Sequence, residues 1–177
     1  MGDRTNRSPD LADRARIVRP VVPEDARAIA AIYAPIVTDT TVSFELSPPD
    51  ETEMAERIAQ VMKSGPWLVL EIEGEIVGYA YATAFRARPA YDTTRETTVY
   101  VRGDHRGSGV GHELMAALIA QLRGSGCHTV VAGITVPNPP SVALHERLGF
   151  RHVGTFHEVG RKFDRWLDVA FYELRLR

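Results

Sequence analysis

The sequence predicts one mixed α/β domain whose elements follow the order β-α-α-β-β-β-α-β-α-β-β. Three observations carry this prediction. Apolar residues switch along the chain between two-residue spacing and helical spacing. Clusters of Gly, Pro, Asn and Asp punctuate the segments. A length of 177 residues, 44% hydrophobic and 25% charged, fills one well-cored domain and falls short of two. The regular β-α alternation of a doubly wound sheet is missing, which excludes that architecture.

Each element has a local reason. Residues 1 to 15 carry charges and a proline but no apolar stretch, so they are expected to be a flexible leader to a domain spanning 16–177. "RIVRPV" (16–21) reads as the first strand. In "PEDARAIAAIYAPIV" proline and acids mark a helix start, and Ile29, Ile32, Tyr33 and Ile36 follow at helical spacing. Asp50 with Glu53 has the pattern of a capping box, opening a helix with Met54, Ile58, Val61 and Met62 on its apolar side. "WLVLEIEGEIVGYAYATAF" reads as a hairpin turning near Glu73-Gly74. Residues 96 to 102 make another strand, then a glycine loop leads into a helix with Leu114, Leu118 and Leu122 in register. "GSG" (124–126) stops that helix, and "HTVVAGITV" (128–136) is a buried-strand candidate. A short helix over 140–148 follows a proline-rich break, and strands near 151–159 and 166–176 close the domain as a hairpin.

Composition narrows the function class. A formal net charge of -2 gives no overall field toward nucleic acid or anionic lipid. Cys127 is the sole cysteine, which excludes an internal disulfide framework and suits a reducing cytoplasm. No apolar run approaches the ~20 residues of a membrane span. The expectation is a cytoplasmic domain without nucleic-acid or membrane partners.

Candidate chemistry starts at "VYVRGDHRGSGVG" (99–111). Arg106-Gly107-Ser108-Gly109-Val110-Gly111 fits R-x-x-G-x-G between a strand and a helix. Glycines let backbone N–H groups turn inward, and the following helix N-terminus offers orphan donors and a positive dipole end to a phosphate. A glycine-rich turn that binds nothing has the same pattern. Two other phosphate loops are excluded. The dinucleotide fingerprint fails because Leu114 stands where its last glycine belongs, and no acid occurs between Glu113 and Glu146. The P-loop fails because the turn closes with Gly111-His112. Neither His112-Glu113 nor His145-Glu146 continues as H-E-x-x-H, so no zinc helix is expected.

A second group lies in "NPPSVALHERLGF" (138–150). If 140–148 is helical, Asn138 falls near its N-cap and Ser141 and His145 share one face. This stripe can line a ligand groove, and Asn138 alone can equally serve as a helix cap. In strand 96–102, Glu96, Thr98 and Tyr100 point one way and Thr97, Val99 and Val101 the other. Glu96 is then a general-base candidate or an edge glutamate in water. Arg86 and Arg88, two apart in "FRARPAY", would point together if the strand continues and could clamp a planar anion. Solvated surface arginines are the alternative.

In combination, "TVYV", "RGDHRGSGVG" and N-x-x-S-x-x-x-H-x-x-x-G-F resemble the GNAT superfamily of acetyl-CoA-dependent N-acetyltransferases. "FRARPAYDTTRETTVYV", "NPPSVALHERLGF" and "GRKFDRWLDVAFYELRL" are similar, more narrowly, to the phosphinothricin N-acetyltransferase family, and the match runs over about residues 16 to 177. The resemblance implies a splayed central sheet with the pantetheine arm between strands 96–102 and 128–136. It assigns Val99, Tyr100 and Val101 to that arm, Arg106, Gly107, Ser108, Gly109, Val110 and Gly111 to the pyrophosphate, and Asn138 and Ser141 to the coenzyme. It gives Glu96 and His145 the acid-base work. Arg86 and Arg88, with Tyr91 in the same motif and Phe44 in "TVSFE", fall in the substrate region, often at a homodimer interface.

The implied reaction moves acetyl from acetyl-CoA, without a metal, to the α-amine of a small amino acid or analogue of the phosphinothricin, methionine sulfone or sulfoximine type. One departure concerns the first helix, where family members often carry Asn and this chain has Ala34-Pro35. A protein or peptide N-acetyltransferase is the second reading, disfavoured by the paired arginines. A catalytically silent coenzyme A-binding module is the third, disfavoured by Glu96 and His145 together.

Overall fold

A computed structural model describes residues 15–176, so the expected leader lies, apart from Ala15, outside the described residues. The elements keep the predicted order: β1 (Arg16–Pro20), α1 (Ala26–Asp39), α2 (Glu51–Val61), β2 (Trp67–Ile72), β3 (Glu75–Ala84), β4 (Thr94–Val101), α3 (Val110–Gly124), β5 (Thr129–Val136), α4 (Pro139–Arg147), β6 (Arg151–Lys162) and β7 (Arg165–Arg175). One seven-stranded sheet runs β1-β2-β3-β4-β5-β7-β6. Its neighbours are antiparallel except for β4 and β5.

Local chemistry explains where the ends differ from expectation. α1 passes through Pro35 to Asp39 because the ring stands exposed and only one backbone donor is lost. At α2, Asp50 accepts from the Glu53 N–H at 2.8 Å, but the Glu53 carboxylate turns to Arg57 at 2.5 Å, so half of the capping box forms. Met62 lies beyond the helix and is exposed rather than in its apolar stripe. The first hairpin turns at Glu73-Gly74 with φ of 53° and 82°. β6 continues past the expected end at 159 through a bulge, where Asp168 accepts from the Glu158 N–H at 2.8 Å. The last hairpin therefore turns at Phe163-Asp164, both at positive φ.

The sheet separates two cores. On one face α3 packs Leu114, Met115, Leu118 and Leu122 against Leu68, Leu70, Val77 and Ala80. On the other, Ile29, Ile32 and Ile36 of α1 and Met54 and Ile58 of α2 pack against Trp67, Val69 and Tyr79. β4 serves both: Val99 and Val101 join the first core and Tyr100 the second, as strand alternation requires. Gly78 brings α3 close to the sheet. A Cβ there would lie 3.0 Å from both the Tyr100 carbonyl oxygen and Val110 Cγ1, and 3.1 Å from Leu114 Cδ1.

Because α3 starts at the glycine loop, that close approach also fixes the loop. Gly78→Ala should destabilise the fold by about 1–3 kcal/mol through overpacking. Urea unfolding measures this, and unchanged stability would show that α3 can move away freely.

Candidate active site

β4 and β5 pair only over Thr94–Glu96 against Thr129–Val131. Beyond that point β4 stays with β3 up to Val101, and β5 stays with β7 up to Val136. Each strand keeps its outer neighbour while the inner edges part, which is the splay expected from the sequence. The parted edges hold backbone donors and acceptors with no strand opposite, and such groups seek a partner. An extended chain laid between them would pair like an added strand. The wedge encloses about 80 Å³ between Val99 and Tyr100 on one side and Gly133 and Thr135 on the other, with Asn138 and His145 of the α4 region at its border.

The glycine loop follows directly from β4. Gly107 and Gly109 sit at φ of 76° and 88°, which only glycine adopts readily. Gly109 caps α3 with no side-chain hydrogen bond. The N–H groups of Val110, Gly111 and His112, in the helix's first turn, therefore have no partner within the helix. Ser108 Oγ donates to the His105 carbonyl at 2.6 Å, and Arg106 is exposed. The loop thus offers an anion backbone donors and a dipole end. Arg16 braces it from outside, donating to the Ser108 carbonyl at 3.0 Å and to Glu113 at 3.4 Å. Sequence reading missed Arg16, which lies 92 residues from Ser108 in the chain.

Two titratable groups stand by the wedge, Glu96 at its closed end and His145 in its lining. Glu96 belongs to the last β4–β5 pair, and its Oε1 lies 3.7 Å from where a Cβ would stand at Gly133. Burial pushes its carboxyl pKa upward. His145 is buried, with Nδ1 2.8 Å from the Ser141 carbonyl. A carbonyl only accepts, so Nδ1 carries the proton and Nε2 the lone pair. Burial lowers the imidazole pKa and the carbonyl contact offsets part of that, so the ring is neutral at neutral pH. Asn138 Oδ1 accepts from the Ser141 N–H at 3.3 Å, so the helix-cap reading and the groove-lining position hold together.

A larger cavity of about 480 Å³ opens on the α1–α2 side of the sheet. Tyr33, Trp67, Tyr79 and Tyr81 line it, with Glu45 and Arg57 as its inner charges. Trp67 stacks on Tyr81 at 4.3 Å between centroids, and Tyr33 tilts against Tyr100 at 5.0 Å. Arg57 grips Glu45 with two bonds, 2.7 and 3.0 Å, and Tyr33 donates to the same carboxylate at 3.0 Å. Burial pushes the Tyr33 phenol up to about 12. Tyr100 borders this cavity as well as the wedge. None of these residues except Tyr100 was singled out for the site from sequence. The two-residue spacing of Tyr79 and Tyr81 was the available signal.

The expected substrate residues are placed differently. β3 ends at Ala84 and the chain bends at Phe85, so no extended run aims Arg86 and Arg88 together. Both are exposed, and neither lines the wedge or the aromatic cavity. The Arg86 guanidinium lies over the rings of Phe85 and Tyr91, at 5.1 and 5.8 Å from their centroids. Phe44 packs on Gly160 of β6, and its neighbours Val42 and Glu45 line the wedge and the aromatic cavity respectively.

Known proteins are similar to this chain in sequence and fold. A family model described as "Acetyltransferase (GNAT) domain" matches residues 18–171. The phosphinothricin N-acetyltransferase of Alcaligenes faecalis is 43% identical over 166 residues, covering 93% of this chain and 84% of its own. The L-methionine sulfoximine/L-methionine sulfone acetyltransferase of Pseudomonas paraeruginosa is 40% identical over 154 residues, 86% of this chain and 90% of its own. The crystal structure of a GNAT superfamily phosphinothricin acetyltransferase from Sinorhizobium meliloti in complex with AcCoA superposes with a TM-score of 0.88 at 37% identity, covering 91% of this chain and 88% of that one. With its parted parallel strands and glycine loop, the chain belongs to the GNAT acetyltransferase family, in the group of phosphinothricin-type N-acetyltransferases.

Proposed function

We propose that this protein transfers the acetyl group of acetyl-CoA to the α-amine of a small amino acid or analogue, of the phosphinothricin or methionine sulfone and sulfoximine type. The observation carrying the reading is the shared wall at Tyr100, where the wedge between β4 and β5 meets the aromatic cavity. The wedge takes the pantetheine arm, the backbone donors of the Arg106–Gly111 loop take the pyrophosphate, and Asn138 and Ser141 contact the arm. The cavity takes the amine.

Acetyl-CoA supplies an activated thioester. Before an ammonium can attack, it must lose a proton, and Glu96 takes it directly or through a water. Burial raises the proton affinity of Glu96 toward the range where that transfer is efficient. Backbone N–H groups of the Val99–Val101 segment donate to the carbonyl oxygen as charge builds there, and losing one such donor typically costs ~2.7–4 kcal/mol. His145, with its lone pair at Nε2, takes the second proton as nitrogen adds to the carbonyl and passes it to the sulfur when the C–S bond breaks, so that the amide and the coenzyme A thiol leave together.

The same reading includes a cytoplasmic homodimer. Large aromatic side chains of the last hairpin stand in solvent, Phe156 at 60%, Phe163 at 52% and Trp166 at 61%, and their exposure supports cover of this hairpin by a second chain. Arg86 and Arg88, both free of the sheet, would then hold the acceptor's acidic group across the interface, with Tyr91 under Arg86.

Thiol release from acetyl-CoA, measured across a panel of amino acids with phosphinothricin and methionine sulfone, should reveal turnover. No release with any of them would refute the reading. Glu96→Gln should lower kcat by about 10²–10⁴-fold and leave acetyl-CoA affinity unchanged; undiminished turnover would remove Glu96 as base. Wild-type kcat/KM should rise with pH through a Glu96 pKa above the ordinary 4.5, and the substitution should flatten that limb. Stability should respond with the opposite sign. Ionising a buried carboxyl disfavours the folded state once pH exceeds 4.5, so Glu96→Gln should raise Tm at pH 8 and lose that gain below pH 4.5. Gly109→Val, forced to a φ of 88°, should abolish coenzyme A binding by calorimetry, and retained affinity would refute the cradle.

A further inference from the structure

Between α1 and α2, residues 40–49 form neither helix nor strand, yet they help to wall both cavities. Val42 borders the wedge and Glu45 borders the aromatic cavity. Between them Ser43 is buried and held on several sides. Its Oγ lies 2.6 Å from the Tyr33 hydroxyl and accepts from the Glu45 N–H at 3.2 Å. Since Tyr33 gives its single proton to Glu45, Ser43 donates to Tyr33. The Ser43 carbonyl accepts from Lys162 Nζ at 2.6 Å.

That last contact is unusual in its cost. Lys162 is 3% exposed, and burying an ammonium is expensive unless it is paired. Its described partners are the Ser43 carbonyl, the Phe163 ring at 5.2 Å and the more distant charge of Glu45. Burial lowers its pKa against the pull of Glu45. An apolar side chain would fill the same space without that penalty, so the ammonium is explained by what it holds. Two residues earlier on the same strand, Gly160 receives the Phe44 ring, and a Cβ there would fall 2.1 Å from Phe44 Cε2. One strand, remote in sequence and lining neither cavity, thus grips two successive residues of the segment.

We infer that β6 sets the acceptor site from outside. Lys162 and Gly160 are positioning residues that pin Ser43 and Phe44, and they thereby place Val42 and Glu45 in the walls of the wedge and the aromatic cavity. The inference rests on the aromatic cavity being the amine site. It also explains why Phe44, expected to touch substrate, faces β6 instead: it is an anchor for the wall.

Lys162→Met tests this by steady-state kinetics and amide hydrogen exchange. KM for the amino acid should rise roughly tenfold, as for loss of a charge-assisted hydrogen bond, with KM for acetyl-CoA within about twofold. Amides of residues 40–49 should exchange faster while α3 is unaffected. Gly160→Ala leaves Lys162 in place and displaces the Phe44 ring, so it should give the same split, and it carries the test if Lys162→Met fails to fold. An unchanged amino-acid KM in these variants, or an equal rise in both KM values, would overturn the latch. Absence of wild-type turnover with any amine marks failure of the functional reading instead. In that case faster exchange confined to 40–49 in either variant upholds the latch, and unchanged exchange overturns it.

Discussion

After the Glu96–Val131 pair, the backbone ladder between β4 and β5 ends, and much of the site's geometry depends on that parting. Neither strand is loose. β4 is fastened to β3 and β5 to β7 along nearly their whole lengths, and the cores on both faces hold the sheet in shape. Two rigid edges with unmet backbone groups therefore stand a wedge apart. The end of β4 carries the chain into the glycine loop, and the end of β5 carries it to Asn138 and α4. One interruption in the ladder lines up an extended groove, an anion cradle and a polar helix in order.

Three buried or half-buried polar groups surround that geometry. Glu96 sits where ionisation is disfavoured, His145 is held neutral with one tautomer fixed, and Lys162 is sunk beneath the segment between α1 and α2. Each is worse for stability than an apolar replacement of similar shape. What they share is placement: Glu96 stands at the closed end of the wedge, His145 at its border, and Lys162 under the segment that helps to wall both cavities. Arg16 performs the equivalent service for the glycine loop through the Ser108 carbonyl.

The sequence made local features legible and distant ones opaque. Element order followed from periodicity and turn residues, and Glu73-Gly74, the Asp50 cap and the Asn138 cap stand where local chemistry placed them. The Ser141–His145 relation was readable because it spans one helical turn. The aromatic cavity was not, since Tyr33, Trp67, Tyr81 and Tyr100 meet only after β2, β3 and β4 pair and α1 closes over them. Arg86 and Arg88 are two apart, but β3 ends at Ala84 and the chain bends at Phe85, so strand alternation does not aim them together. The Lys162 contact joins residues 119 apart, which no spacing rule detects.

The most direct test of this account is amide hydrogen exchange of the whole chain with and without acetyl-CoA. If the parting of β4 from β5 forms the donor site, exchange slows in two places at once, at Thr98–Val101 along the open edge of β4 and at Gly107–Glu113 across the loop and the first turn of α3. Exchange in α2 and the outer hairpin should stay as it was. Tight binding of acetyl-CoA that leaves the edge of β4 unprotected would contradict the claim that the parting of β4 from β5 is the donor site.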